Sequence, residues 1–316
     1  MSKKIAIVGP GIMPIPPDGW GAVEILIWRY TCSLRKLGHE VTIYNNRDLG
    51  AVINHINENE YDFIHVQYDE HIGTFAEHLK KPFCSTTHYG YIMREHLWDG
   101  YYRHNVFPNT MKGPSILALS EPIMNMYKEK GYTGKIDYLR NGAEVEEFKF
   151  RQEGNGKAIV VGKIEPRKRQ KDIALHCDGK CHVDFVGPCI DPTYQNTSTC
   201  QHIGHWTKAA LYEGLTNYST LVLFSDGEAA PLVVPEAFAA GLSVVVSECA
   251  AANLDRDLPF ITVVPDDVMQ DDLADVIKKS CEENKKHRKD IRHLAETYYD
   301  WDVIAQEYVD KMGVSV

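Results

Sequence analysis

The sequence predicts an α/β protein of two repeated halves, each a parallel sheet flanked by helices. Short apolar runs recur at crossover spacing in both halves. They do not alternate polar with apolar residues, as befits strands buried on both faces. A polar stretch, residues 146–157, interrupts the pattern around Gly154-Asn155-Gly156 before it restarts at Ala158. With 316 residues, 44% of them hydrophobic, the chain is long for one open sheet and suits two domains with proper cores.

Ile5-Ala6-Ile7-Val8 reads as the first strand, and a loop rich in Gly and Pro follows it. A helix is expected over residues 21–37, with Ile25, Trp28, Cys32 and Leu37 as its apolar face and Gly38 as its stop. Residues 40–44, 63–66, 82–87, 116–119 and 136–139 are the next strand signals. Asn141-Gly142 is a turn signal that ends the half. In the second half, strands are expected at residues 158–162, 183–186, 221–224, 244–246 and 261–264, with residues 187–204 mostly loop. Helices are expected over residues 271–286 and 291–299. A terminal helix over residues 301–312 then turns Ile304, Tyr308 and Met312 to one side.

The formal net charge of −10 argues against broad nucleic-acid binding. The opening Met1-Ser2-Lys3-Lys4 leads into no secretory apolar region, and no apolar run reaches membrane-spanning length, so a cytoplasmic protein is expected. Asn196-Thr197-Ser198 and Asn217-Tyr218-Ser219 are then chance matches to the glycosylation pattern. Eight dispersed cysteines are too few for a disulfide scaffold. Cys177, Cys181, Cys189 and Cys200 lie near His176, His182 and His202 but lack the paired spacing of a zinc site. Reduced, unligated thiols are expected.

The chemistry is concentrated in residues 227–241, between two strand signals. A strand, a helix opening with carboxylates and a further strand make a crossover whose helix start points into a ligand crevice. Unpaired N–H groups there suit an anion, and a carboxylate in the first turns suits sugar hydroxyls. Glu228 and Glu236 supply the carboxylates, and Pro235, lacking an N–H, places the helix start near Leu232 or Val233. Lys163 and Lys168 follow the strand that restarts the second half, where two cations suit a diphosphate. Gly9-Pro10-Gly11 is no dinucleotide fingerprint.

Five segments in order resemble the large retaining glycosyltransferase family 4, over nearly the whole chain. Residues 15–24, with Gly21 and with Ala22 where a second glycine is usual, resemble its loop between first strand and helix. Thr86-Thr87-His88-Tyr89-Gly90 resembles its Thr-x-His segment. Residues 161–168 resemble its Gly-Arg…Pro-x-Lys-Gly segment, with Lys163 for arginine and Arg169 for the last glycine. Glu228 and Glu236 match its paired glutamates, with Ala229-Ala230-Pro231 where Gly-Phe-Gly is common. Residues 298–305 resemble its closing element, a helix that crosses back to the first domain.

The resemblance implies the GT-B fold, two Rossmann-like domains facing across a cleft. Residues 1–150 would form the acceptor-side domain, joined by helix 300–316, and residues 151–299 the nucleotide-sugar domain. It implies a retaining transferase that moves a hexose from a nucleotide-diphosphate sugar, of UDP or GDP type, to a hydroxyl of a saccharide, lipid or small molecule. Backbone N–H groups at Gly21, Ala22, Ala230 and Leu232, beside Pro231, would approach the donor. Lys163 and Lys168 would stabilise the leaving diphosphate, Glu236 would hold ribose, and Glu228 and His88 would face the sugar. His65, Gln67 and His71 are candidates for the acceptor side or for a surface loop.

No cofactor and no metal are expected. Asp266-Asp267 and Asp271-Asp272 read as turn and helix-start residues, and no aspartate pair accompanies the phosphate segment. Peripheral membrane contact occurs in the family, and no strongly basic amphipathic helix points to it here. Two other readings stay open: a hydrolysing sugar-nucleotide epimerase, and a sugar- or nucleotide-binding module without catalysis.

Overall fold

In the computed structural model, the described residues are 2–17, 19, 21–266 and 272–315. Met1, Asp267 and Asp271, named above, lie outside them, as do Asp18 and Trp20 of the 15–24 segment. The chain divides into two compact units, Met1–Asn141 with Trp301–Val316, and Gly142–Asp300. The division falls before residue 150 because Ala143 donates its N–H to the Tyr299 carbonyl at 2.8 Å. Val145 and Phe148 are then buried in the core of the second unit. The polar stretch after them is therefore a surface segment of that unit.

The first unit runs β1 (Lys4–Val8), α1 (Ala22–Lys36), β2 (Glu40–Tyr44), α2 (Leu49–Glu58), β3 (Phe63–Val66) and α3 (Asp69–His78). It continues with β4 (Cys84–Ser85), α4 (Phe107–Thr110), β5 (Ser115–Ala118), α5 (Glu121–Glu129) and β6 (Lys135–Tyr138). The second unit holds β7 (Ala158–Val161), α6 (Gln170–Cys177), β8 (Val183–Val186), β9 (Cys200–His202), α7 (Lys208–Gly214) and β10 (Thr220–Leu223). Then come α8 (Val233–Ala239), β11 (Ser243–Ser247), β12 (Ile261–Val264) and α9 (Leu273–Leu294), before α10 (Trp301–Ser315) returns to the first unit.

Among the described residues each unit has one six-stranded sheet, ordered β2-β1-β3-β4-β5-β6 and β12-β11-β10-β7-β8-β9. All the pairings are parallel; Ile7 of β1, for example, pairs with Ile43 and His65. Both units are Rossmann-like. The strand order reverses between β1 and β3 in one sheet and between β7 and β10 in the other. In open parallel sheets the ligand crevice opens outside the strand ends at such a reversal.

The second sheet is buried on both faces. Ile159, Val161, Leu221, Leu223, Val244 and Val246 pack on one side with Phe238 and Ile291. Ala158, Val160, Val222 and Val245 pack on the other with Ile173 and Ile277. Successive side chains point to opposite faces, so an unbroken apolar run serves two cores. Each fully buried aliphatic side chain contributes about 1.5–3 kcal/mol.

Two expectations need correction. Residues 271–286 and 291–299 are not two helices: α9 is one 22-residue helix that ends in a π-helical turn, Ala295–Tyr299. Its inward face, Ile277, Cys281, Asn284, Arg288 and Ile291, keeps helical spacing but includes two polar residues, which hid the continuity. On α1, the core face is Leu26, Ile27, Tyr30 and Leu34, while Leu37 is exposed beyond the last turn. Tyr30 sets that face by packing on Trp301 and Tyr308 of α10, at ring separations of 5.1 and 5.0 Å. Residues 187–204 are mostly loop, as expected, and within them lies the short strand β9, whose three residues carry too little apolar signal to be read locally.

Candidate functional site

The loops that leave β7 and β10 meet at the strand-order reversal of the second sheet. Lys168 Nζ lies 3.6 Å from Glu228 Oε1. Arg167 approaches the same oxygen at 3.4 Å, donates to the Gly227 carbonyl at 2.7 Å, and pairs with Glu165 at 3.0 Å. The Arg167 carbonyl in turn accepts from the Asp226 N–H at 2.9 Å. Glu228 is thus held by two cations inside a mostly buried loop. Lys163 is not drawn into this cluster: its side chain is exposed, and its carbonyl accepts from Gln170 Nε2 at 2.8 Å.

Two glycines permit this close approach. A Cβ on Gly187 would stand 2.1 Å from the Gly162 carbonyl oxygen, and one on Gly162 would stand 3.2 Å from Lys168 Nζ. Both have positive φ, 143° and 148° respectively. Arg169 takes the left-handed conformation at φ 50°. Its guanidinium is tied to Asp226 at 2.6 Å and to the Asp266 carbonyl, contacts that hold the uncommon backbone in place.

Glu228 leads through Ala229, Ala230, Pro231 and Leu232 into α8, which starts at Val233 as Pro235 required. Leu232 accepts the Glu236 N–H at 3.2 Å, and Pro235 falls in the first turn, where its missing donor costs no helical bond. Glu236 is 7% exposed and pairs with Lys208, whose ammonium also lies 3.8 Å from Glu144. Tyr212 donates to Glu144 at 3.2 Å. Burial alone lowers the Lys208 pKa, but Glu236 and Glu144 outweigh it and hold the ammonium above its ordinary range. Lys208 opens α7, the end of a helix where a cation is disfavoured, so the two carboxylates account for its place. Its link to Glu236 carries no local sequence signal.

In the first unit, Gly21 caps α1 and Ala22 is its first residue. A Cβ on Gly21 would stand 2.8 Å from Glu24 Oε2, whereas Ala22 is exposed and helical, a conformation that needs no glycine. His88 follows β4. Its Nε2 lies 2.7 Å from Gln67 Oε1, and its backbone N–H donates to Asp69 at 3.2 Å. Asp69 also accepts from Thr87 and, at 3.0 Å, from Tyr102. Burial pushes its carboxyl up, with those hydrogen bonds working against it.

His65 and His71 are interior residues rather than surface loop. His65 sits in β3 with 1% exposure, bonded to Tyr308 and Thr86 at 2.8 Å each. His71 is buried against Tyr68, and its Nδ1 has no partner among the described residues. Burial lowers His71 and His88 to about 4, and burial with the nearby His88 lowers His65 to about 3.

The eight cysteines are all free thiols, with Cys177, Cys181 and Cys200 buried. Among the described residues no three His, Cys, Asp or Glu side chains are arranged to hold a metal ion. Among them, too, no helix is long and apolar enough to cross a membrane.

The two parallel-sheet units match the GT-B architecture. The sucrose-phosphate synthase of Thermosynechococcus elongatus is similar over 98% of both chains, at 14% identity and a TM-score of 0.75. HepE of Anabaena, in complex with UDP-glucose, is similar over 99% of this chain and 100% of its own, at 13% identity and a TM-score of 0.76. The lipopolysaccharide outer core galactosyltransferase WaaB, in its apo form, is similar over 98% of both, at 15% identity and a TM-score of 0.71. No protein-family model matches the sequence, and no curated protein matches it. At these identities the likeness shows the fold.

Proposed function

We propose that this chain is a retaining glycosyltransferase that moves a hexose from a nucleotide-diphosphate sugar, of UDP or GDP type, to a hydroxyl acceptor. The observation that carries the reading is the Lys168–Glu228 pair at the strand-order reversal of the second sheet, followed at once by Glu236 in the first turn of α8. A cation, a held carboxylate and a helix start are what a sugar diphosphate requires. The UDP-glucose complex of HepE, on the same fold, adds support.

In this reading Lys168, with Lys163, neutralises the charge that grows on the leaving diphosphate as the glycosidic bond breaks. Glu236 accepts from ribose hydroxyls, and Glu228 and His88 orient the hexose. Backbone N–H groups at Gly21, Ala22, Ala230 and Leu232 contact the donor, beside Pro231. The acceptor hydroxyl attacks the anomeric carbon from the face that the diphosphate leaves, and its proton passes to a phosphate oxygen. No enzyme nucleophile and no divalent ion take part. Residues 1–141 take the acceptor and residues 142–300 the nucleotide.

The test is thermal shift with a panel of UDP- and GDP-hexoses, then transfer to hydroxyl acceptors by chelator-treated protein, with the product linkage read by proton NMR. Stabilisation by one donor class and a retained anomeric configuration are expected. An inverted linkage overturns the retaining assignment, and activity that returns only with manganese overturns metal independence. Turnover of the donor to an epimer without acceptor replaces the whole reading.

A further inference from the structure

Beneath His88 a continuous line of buried side chains runs to the last helix of the chain. Its direction can be read from one end, where the Leu117 carbonyl is purely an acceptor. Thr86 Oγ1 lies 2.6 Å from that oxygen, so the single hydroxyl proton of Thr86 is committed there. The Thr86 oxygen must then accept from His65 Nε2, 2.8 Å away. A neutral imidazole carries one ring proton, so Nδ1 of His65 is an acceptor. Its one lone pair is shared by the Tyr308 hydroxyl at 2.8 Å and Gln67 Nε2 at 3.1 Å. The Gln67 amide is thereby oriented, and its Oε1 faces His88 Nε2 at 2.7 Å. The reverse direction would ask Thr86 to donate one proton to two acceptors.

We infer that this chain of bonds holds His88 as its neutral Nε2–H tautomer, so that His88 meets its ligand through Nδ1, as a hydrogen-bond acceptor for a ligand hydroxyl. Nδ1 has no partner among the described residues, and the ring is half-buried rather than sealed. Thr86, His65, Gln67 and Tyr308 are then positioning residues. Tyr308 brings α10 into this role: the final helix packs on Tyr30 and also donates to the histidine that orients Gln67. That the ligand hydroxyl belongs to the donor hexose rests on the function proposed above; the tautomer does not.

Long-range proton–nitrogen correlation spectra of the nitrogen-15-labelled protein, near neutral pH, read the tautomer directly. Assignment uses His88→Gln and His65→Gln. The parent protein is expected to show His88 protonated at Nε2 alone. Thr86→Val should admit the other tautomer at His65 and His88 and lower kcat/KM for the donor about tenfold, the worth of roughly one hydrogen bond. Thr86→Ser, which keeps the hydroxyl, should restore both. A parent His88 protonated at Nδ1, or on both nitrogens, overturns the inference, as does a Thr86→Val spectrum identical to the parent's. The expected tautomer in a protein that uses no nucleotide sugar would remove the transferase reading and leave this one standing.

Discussion

Lys168 and Glu228 meet at 3.6 Å, although they belong to different loops, one after β7 and one after β10. Arg167 shares the same carboxylate, so removing Lys168 leaves Glu228 paired. Lys168→Ala should therefore fold normally and slow transfer by about 2–4 kcal/mol of transition-state stabilisation. Initial rates at saturating donor test this. Activity within about twofold of the parent would remove Lys168 from the leaving-group role.

Lys208 balances two buried carboxylates, Glu236 and Glu144. Lys208→Met should lower stability by about 1–3 kcal/mol, less than for a fully buried pair because the lysine is partly exposed. Adding Glu236→Gln should recover part of that loss, since the two residues interact directly. Urea unfolding of the single and double variants gives the coupling. Strictly additive effects would mean that the pair contributes nothing.

Stability should fall as pH drops from about 6.5 toward about 4. His65, His71 and His88 are held neutral in the folded protein, at about 3, 4 and 4 against an ordinary 6.5. In that window the unfolded chain binds protons that the folded chain does not, so the stability present above it is lost. Each such group contributes up to about 1.4 kcal/mol per pH unit. Asp69, raised by burial, acts in the opposite sense. Unfolding free energies near pH 7 and pH 5 decide the sign, and a flat profile would contradict the neutral histidines.

Arg288 is a structural tie. It is 1% exposed and donates to the carbonyls of Arg151, Tyr218, Thr216 and Ala240 and to Asn284 Oδ1. Arg288→Met leaves those acceptors dry and should cost about 3–5 kcal/mol. Arg288→Lys should rescue little, because one ammonium cannot reach a fan of carbonyls. A change under about 1 kcal/mol in chemical unfolding would show that water replaces the guanidinium.

Most strands and the outline of the site were legible locally. A parallel strand buried on both faces declares itself as an apolar run, as in Ala158–Val161. Glu228, Pro235 and Glu236 carry their helix start in the residues themselves. Where polar residues faced inward, the reading broke. Asn284 and Arg288 made one long helix look like two, because their partners are carbonyls from distant segments.

Local pattern, then, established two parallel α/β halves and pointed to the β7 and β10 loops as a candidate site. Folding selected among them. It drew Lys168 and not Lys163 to Glu228, gave Arg169 the left-handed turn of a glycine, and set Lys208 on Glu236. It also joined His88 to Tyr308 through Gln67 and His65. Hydrophobic periodicity is written in neighbouring residues, whereas a hydrogen bond or ion pair depends on where two remote segments are brought to rest.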